Sequence, residues 1–296
     1  MATFKLGNVR RGGFIALTAA ALFGASTPAA KTIVGEVQPL LLAGLLYLGS
    51  GVGLTIYGLS RRSAGPRLAR ADLPWLIGTV LFGGMLGPAL LMWGLVTTTG
   101  SAASLLLTLE GVFTALMAWL VFREPYNARI GLGLGVIFAG ALLLALLGPP
   151  GHANLLGSLA VAGACSCWAI DNNLTRKISH VDAPTLAAIK GLTAGSVNTA
   201  LGLAAGAALP SLAELAGASL VGFLGYGVSL VLFVLALREV GAARGGAYFS
   251  TAPFIGAALS VVVLRDHLSL VLLLAGALMA LGAWLHLSEP TPSSQD

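Results

Sequence analysis

Two ionisable side chains stand where membrane-spanning helices rarely keep them. Glu110 interrupts the run LLLTLEGVFTALMAWLVFREP, Leu105 to Pro125, and Lys190 follows Pro184 by six residues in a second apolar stretch. A carboxyl group at membrane depth can hold an ammonium group, accept a structural hydrogen bond or carry a proton. A lysine there can bind a substrate carboxylate, or snorkel its ammonium out to the headgroups. Helical spacing puts Leu106, Phe113, Thr114 and Met117 on the Glu110 face. Trp168 and Asn172, four apart, share a face of another segment, and Tyr248, Thr251 and Ile255 come from a third. With Phe23 and Trp93 they offer aromatic and polar groups suited to a flat apolar side chain with a zwitterionic head. For Glu110 the structural alternative is a hydrogen bond within a helix bundle, for Lys190 an interfacial anchor, and for Trp168 plain packing.

Other chemistry is poorly supplied. Cys165 and Cys167 project about 200° apart on one helix, so they cannot share a metal or form an ordinary disulfide; they read as packing residues. His152, His180, His267 and His286 show no metal-ligand spacing. Neither H-E-x-x-H nor G-x-S-x-G occurs, and no second acidic residue lies at the depth of Glu110, which argues against an intramembrane enzyme. No metal or cofactor is expected.

The elements that must position these groups are membrane helices. Of 296 residues, 57% are hydrophobic and 9% charged, where soluble domains carry about 25% charged residues. Ten apolar runs read as spans: about 13–34, 38–59, 73–97, 100–122, 128–148, 155–175, 184–209, 216–237, 245–264 and 268–287. A net charge of +5 raises the question of a nucleic-acid partner, and the placement of the cations answers against it. With the N-terminus in the cytoplasm, every Lys and Arg except Lys31, Lys190 and Arg265 falls on the inner side, so both termini are expected to be cytoplasmic. A cleavable signal peptide is the rival reading of the N-terminus, but it would remove a span that has a counterpart in the second half. Lys31 reads as a snorkelling anchor, Asp171, Asn172 and Asn173 as interfacial, and the arginine-rich loop Arg61 to Arg70 as an orientation signal. Gly131, Gly135 and Ala139 form a small-residue stripe, read as packing within a monomer, with a dimer face as the alternative.

The chain repeats itself. A shift of about 145 lays FGASTPAAKTI (from Phe23) on WAIDNNLTRKI (from Trp168), and one of about 142 lays EGVFTALMAWLVFREP (from Glu110) on APFIGAALSVVVLRDH (from Ala252). Residues 1–150 and 151–288 thus read as two five-helix repeats, followed by a short polar tail, 289–296. Five is odd, so the second repeat is inserted upside down relative to the first. Two inverted halves about a midplane site are the architecture of secondary transporters that work by alternating access. The fourth span enters near Gly100, which places Glu110 roughly 15 Å deep, near the bilayer centre. Gly111 and Pro253, with Pro28 and Pro88, are candidate helix breaks, tolerated at that depth only beside protein or a cavity.

These residues resemble the EamA-type, ten-helix branch of the drug/metabolite transporter superfamily. The resemblance rests on Phe23-Gly24 and Trp168-Ala169 opening each half, WGLVTTTGSAASLLL (from Trp93) with its echo LALREVGAARGGAYF (from Leu235), Glu124 and Asp266 closing the fourth and ninth spans, and the P-x5-K pattern from Pro184 to Lys190. The family often has proline in both the fourth and ninth spans; here the fourth has Gly111. Leu45 stands where the first half would repeat Lys190. The resemblance implies an exporter in the cytoplasmic (inner) membrane handling small metabolites, aromatic and other neutral amino acids foremost. A general drug or metabolite carrier with a cationic or nucleotide-linked substrate is the alternative. The expected partners are a small-molecule substrate and the lipid bilayer, with no obligatory protein partner.

Overall fold

The computed structural model describes residues 6–60, 68–123, 128–148 and 154–287. Lys5, Arg61, Arg62, Arg67, Glu124, His152, the tail 289–296 and the side chain of His286 lie outside the described residues. Every regular element described is helical. The first half comprises α1 (Leu6–Ile33), α2 (Pro39–Leu59), α3 (Leu73–Thr79), a π-helical segment (Val80–Leu86), α4 (Gly87–Thr97), α5 (Gly100–Leu106), α6 (Leu109–Leu120) and α7 (Ala128–Leu147). The second comprises α8 (Leu155–Thr175), α9 (Ala183–Ala204), α10 (Leu212–Gly222), a second π-helical segment (Phe223–Val228), α11 (Ser229–Val240), α12 (Ala242–Phe249), α13 (Ala252–Val263) and α14 (Leu270–Leu287). Among the described residues eight helices are long and apolar enough to cross a bilayer; α9 and α14 stand beside them.

Helix ends follow local chemistry. Gly206 takes a φ of +87°, and the Gly206 amide bonds the Leu203 carbonyl, so α9 closes before the apolar residues that the sequence suggests would extend it to 209. Ser211 and Glu214 then cap each other's backbone amides and start α10 at Leu212, four residues ahead of the expected 216. Arg123 and Arg265 adopt φ of 55° and 56°, a region few non-glycine residues enter, at matched places after α6 and α13.

Packing exchanges the halves. α1 lies on α11 and α13, while its counterpart α8 lies on α4 and α6; α2 packs on α9, α7 on α14 and α5 on α13. Close approach depends on missing side chains, since apolar area alone gives little drive between helices in lipid. A Cβ on Gly191 of α9 would sit 2.7 Å from the Cα of Gly51 on α2, so neither position tolerates one. In α7 the inward stripe is Gly133, Ile137, Gly140 and Ala141, buried against α14. Gly135 and Ala139 face outward instead, so the expected Gly131, Gly135, Ala139 packing stripe is corrected: the helix is rotated away from it.

Candidate functional site

The site begins with a helix that skips a bond. In the Val80–Leu86 segment the Gly87 amide donates to the Phe82 carbonyl, five residues back, and Pro88 has no amide to give. The carbonyls of Gly83 and Gly84 are therefore left without their helical donors. Tyr47 Oη donates to Gly83 O at 2.7 Å and Trp168 Nε1 at 3.0 Å, while Asn198 Nδ2 reaches Gly84 O at 3.5 Å and Met85 O at 3.1 Å. Three side chains from α2, α8 and α9 thus converge on one opened turn. In the matched second segment the Ser229 amide again skips to Leu224 O, and the freed Gly225 carbonyl is taken by the Ser229 hydroxyl itself.

Glycines 83 and 84 have a second use. A Cβ at Gly83 would strike the Asp171 carboxylate, and one at Gly84 would lie 3.1 Å from Lys190 Cγ. Into this space fits an ion pair: Lys190 Nζ to Asp171 Oδ2, 2.6 Å, with side chains 18% and 8% exposed. Thr175 Oγ1 donates to the other Asp171 oxygen at 3.1 Å. One residue along α8, Asn172 Nδ2 donates to Glu110 Oε1 at 2.8 Å and reaches Thr114 Oγ1 at 3.3 Å. Asn173 Nδ2 donates to Ala169 O and Thr114 O.

Glu110 enters through a second break, between α5 and α6. The Thr108 amide bonds Leu105 O and the Glu110 amide bonds Leu107 O, both three residues back, which frees the Leu106 carbonyl. Cys165 Sγ lies 3.6 Å from that oxygen, so this thiol caps a broken helix as well as packing. The matching break, at Ser250–Thr251, lies between α12 and α13. Both breaks open on a cavity of about 220 Å³ lined by Phe23, Thr108, Glu110, Gly111, Phe249 and Pro253, among others. Phe249 stacks on Phe233 at 4.4 Å between centroids, Phe23 touches Phe249 at 5.4 Å and Tyr226 at 6.0 Å, and Tyr226 meets Tyr47 at 5.7 Å. One pole of the interior is aromatic and comes from α1, α2, α11, α12 and the second π-segment. The other, from α6, α8 and α9, is polar and charged. The sequence pattern of the EamA-like transporter family fits the chain twice, over residues 10–146 and 155–288.

The chain belongs to the EamA-like transporter family. An uncharacterized transporter of Methanothermobacter thermautotrophicus is 27% identical over 294 residues, covering 92% of this chain and 85% of its own. The uncharacterized transporter YvbV of Bacillus subtilis is 28% identical over 181 residues, 60% of this chain and 57% of that one. A solved crystal structure at 22% identity has the same fold, with a TM-score of 0.68 over 93% of this chain and 98% of the other. This is a multi-pass membrane transporter family, and the twofold match gives each half of the chain the same family unit.

Within this EamA-like transporter the sequence candidates scatter more than expected. Glu110, Gly111, Phe23 and Pro253 line the cavity, and Asn172 bonds Glu110 there, whereas Trp168 bonds Gly83 O in the π-helical segment, away from the cavity lining. Phe113 packs on the core and Met117 is half-buried on α6. Thr251 donates to Tyr248 O at 2.7 Å, which occupies its hydroxyl in the α12–α13 turn, while the Tyr248 ring lies against Gly13. Trp93 is 55% exposed on the outer face of α4 and does not line this cavity. Gly111 sits in the first turn of α6, so the break is at Leu107–Thr108 and not at Gly111. Pro28 lies inside an unbroken α1, and Pro88 follows the π-segment that is the actual discontinuity. Asp171 and Asn173 are buried, not interfacial, because the π-segment and α6 cover them. Lys31 turns inward, where its ammonium caps the Leu95 carbonyl at the C-terminal end of α4, a favourable place for a cation. The sequence signal for this pair is weak, since Asp171 and Lys190 stand 19 residues apart on different helices.

Proposed function

We propose that the protein is a secondary transporter that exports a small amphipathic metabolite, with aromatic and other neutral amino acids as its substrate class, across the cytoplasmic membrane by alternating access. On this reading the two halves are inverted, both termini are cytoplasmic and the monomer in the bilayer is the working unit. What supports it is the two-pole interior: a carboxylate held by an amide, Glu110 with Asn172, facing the aromatic rings of Phe23 and Phe249 across one small cavity. An ammonium group would sit at Glu110 and a flat side chain between the rings, where aromatic contacts contribute about 0.5–1.5 kcal/mol each. The exchange of helix pairings between the halves supports alternation, since swapping their conformations would move the opening from one side to the other. Uptake of phenylalanine into proteoliposomes, in competition with cationic and nucleotide-linked compounds, tests the class; lack of both uptake and competition by amino acids would end it.

A second reading has its own observation. No basic residue lines the 220 Å³ cavity with Glu110 among the described residues, which also suits a cationic amphiphile lacking a carboxylate. The same competition separates the two, because such a compound would then displace phenylalanine or be carried in its place.

A further inference from the structure

The Asp171–Lys190 pair has a position that packing does not require. The small cavity reaches Glu110, whose partner Asn172 is the chain neighbour of Asp171. A larger groove of about 650 Å³ lies between the ends of α2 and α11 and the start of α9, where Ala188, Ile189 and Leu192 line it from the face of α9 turned away from Lys190. Neither opening includes Lys190 itself. The ion pair lies between α8, α9 and the first π-helical segment, one residue along α8 from the Asn172 that holds Glu110, and Gly83 and Gly84 have no side chains that would fill its place.

Its charges come from one half only. At the positions matched by the 145-residue shift, the first half carries Ser26 and Leu45. A buried lysine needs a counter-ion, and removing one partner of such a pair leaves the other charge uncompensated. Any anion that can reach Lys190 competes for the same ammonium group. Asp171 is adapted to yield: its second oxygen holds the Thr175 hydroxyl on its own helix, so the carboxylate keeps a donor when the lysine leaves.

We infer that Asp171 is a built-in stand-in for the substrate carboxylate, which occupies Lys190 in the empty carrier and is displaced when a carboxylate-bearing solute enters from the cavity at Glu110. It therefore sets specificity by competition. A solute with a carboxylate replaces the bond it breaks; one without a carboxylate leaves Lys190 paired and gains nothing there. This rests on the amino-acid reading above and extends it to a residue that positions the lysine and tunes its affinity without itself holding substrate.

The test is binding of phenylalanine and of phenethylamine, its counterpart without the carboxylate, to the purified full-length protein in nanodiscs. In Asp171→Asn the competitor is gone, so phenylalanine should bind about tenfold more tightly while phenethylamine is unchanged. An unchanged ratio in a folded variant would assign Asp171 to structure alone. Should Asp171→Asn fail to fold, the wild-type protein decides. Dicyclohexylcarbodiimide labelling of Asp171, read by mass spectrometry, should rise with phenylalanine and not with phenethylamine, and equal labelling in both would overturn displacement. If the wild type binds phenethylamine but not phenylalanine, the stand-in role fails while a cationic substrate survives. If it binds neither, the amino-acid reading fails and takes this inference with it.

Discussion

Asn172 on α8 donates its amide to the Glu110 carboxylate on α6 across 2.8 Å, so the acid that interrupts the fourth span is held by a side chain from the other half of the molecule. A charge at a helix centre facing lipid costs about 2.5–3.5 kcal/mol, whereas a hydrogen bond to a charged group returns about 1.5–3 kcal/mol. The contact joins α6 of the first half to α8 of the second.

Glu110→Gln keeps the shape and the amide contact but removes the charge. Transport of an ammonium-bearing solute should fall by about tenfold or more, and its dependence on external pH should flatten. Rates in proteoliposomes across a pH series measure this; a profile superimposable on wild type would leave Glu110 a packing residue.

Pro88→Ala restores an amide opposite the Gly84 carbonyl and so competes with Asn198 for it. The π-segment should shorten toward ordinary α-helix, raising thermal stability in detergent while slowing turnover. A melting curve and a transport rate from the same preparation decide; a variant that is both less stable and fully active would refute the argument.

Gly191→Val adds branched atoms where Gly51 lies in contact with the facing helix. Helices α2 and α9 would have to separate, so the detergent-solubilised protein should lose several degrees of melting temperature or aggregate. Gly135→Val on the outward face of α7, where nothing lies within 4 Å of the added carbon, should cost little by comparison.

The two tryptophans separate lipid face from interior. Trp93→Phe should leave substrate affinity within about twofold, because that ring is exposed on α4. Trp168→Phe loses one of the two donors to Gly83 O while Tyr47 keeps the other, a cost of about 0.5–1.5 kcal/mol that stability and transport assays should both register.

Much of this was legible in the chain. Apolar runs of bilayer length, the paired landmarks at shifts of about 142 and 145, and the odd acid at position 110 pointed to a duplicated helical carrier with an interior site, because burial in lipid restricts composition at every residue. Pro253 and Phe23 line the 220 Å³ cavity. Helix breaks were placed less well: Gly111 marked a weak spot, yet the break fell at Leu107–Thr108, where amides bond three residues back and Cys165 from another helix caps the carbonyl left over.

The amino-acid sequence by itself determined which segments are helical and apolar, that the chain is built twice, and which few polar groups must find partners away from lipid. Only the tertiary structure decided which partners those are: Asp171 for Lys190, Asn172 for Glu110, Tyr47 and Trp168 for an opened turn at Gly83, and the Leu95 carbonyl for Lys31. The reason is that hydrophobic periodicity is a property of one helix, whereas a buried polar group is satisfied by whichever neighbour packing brings within about 3 Å, and that neighbour can lie a hundred residues away.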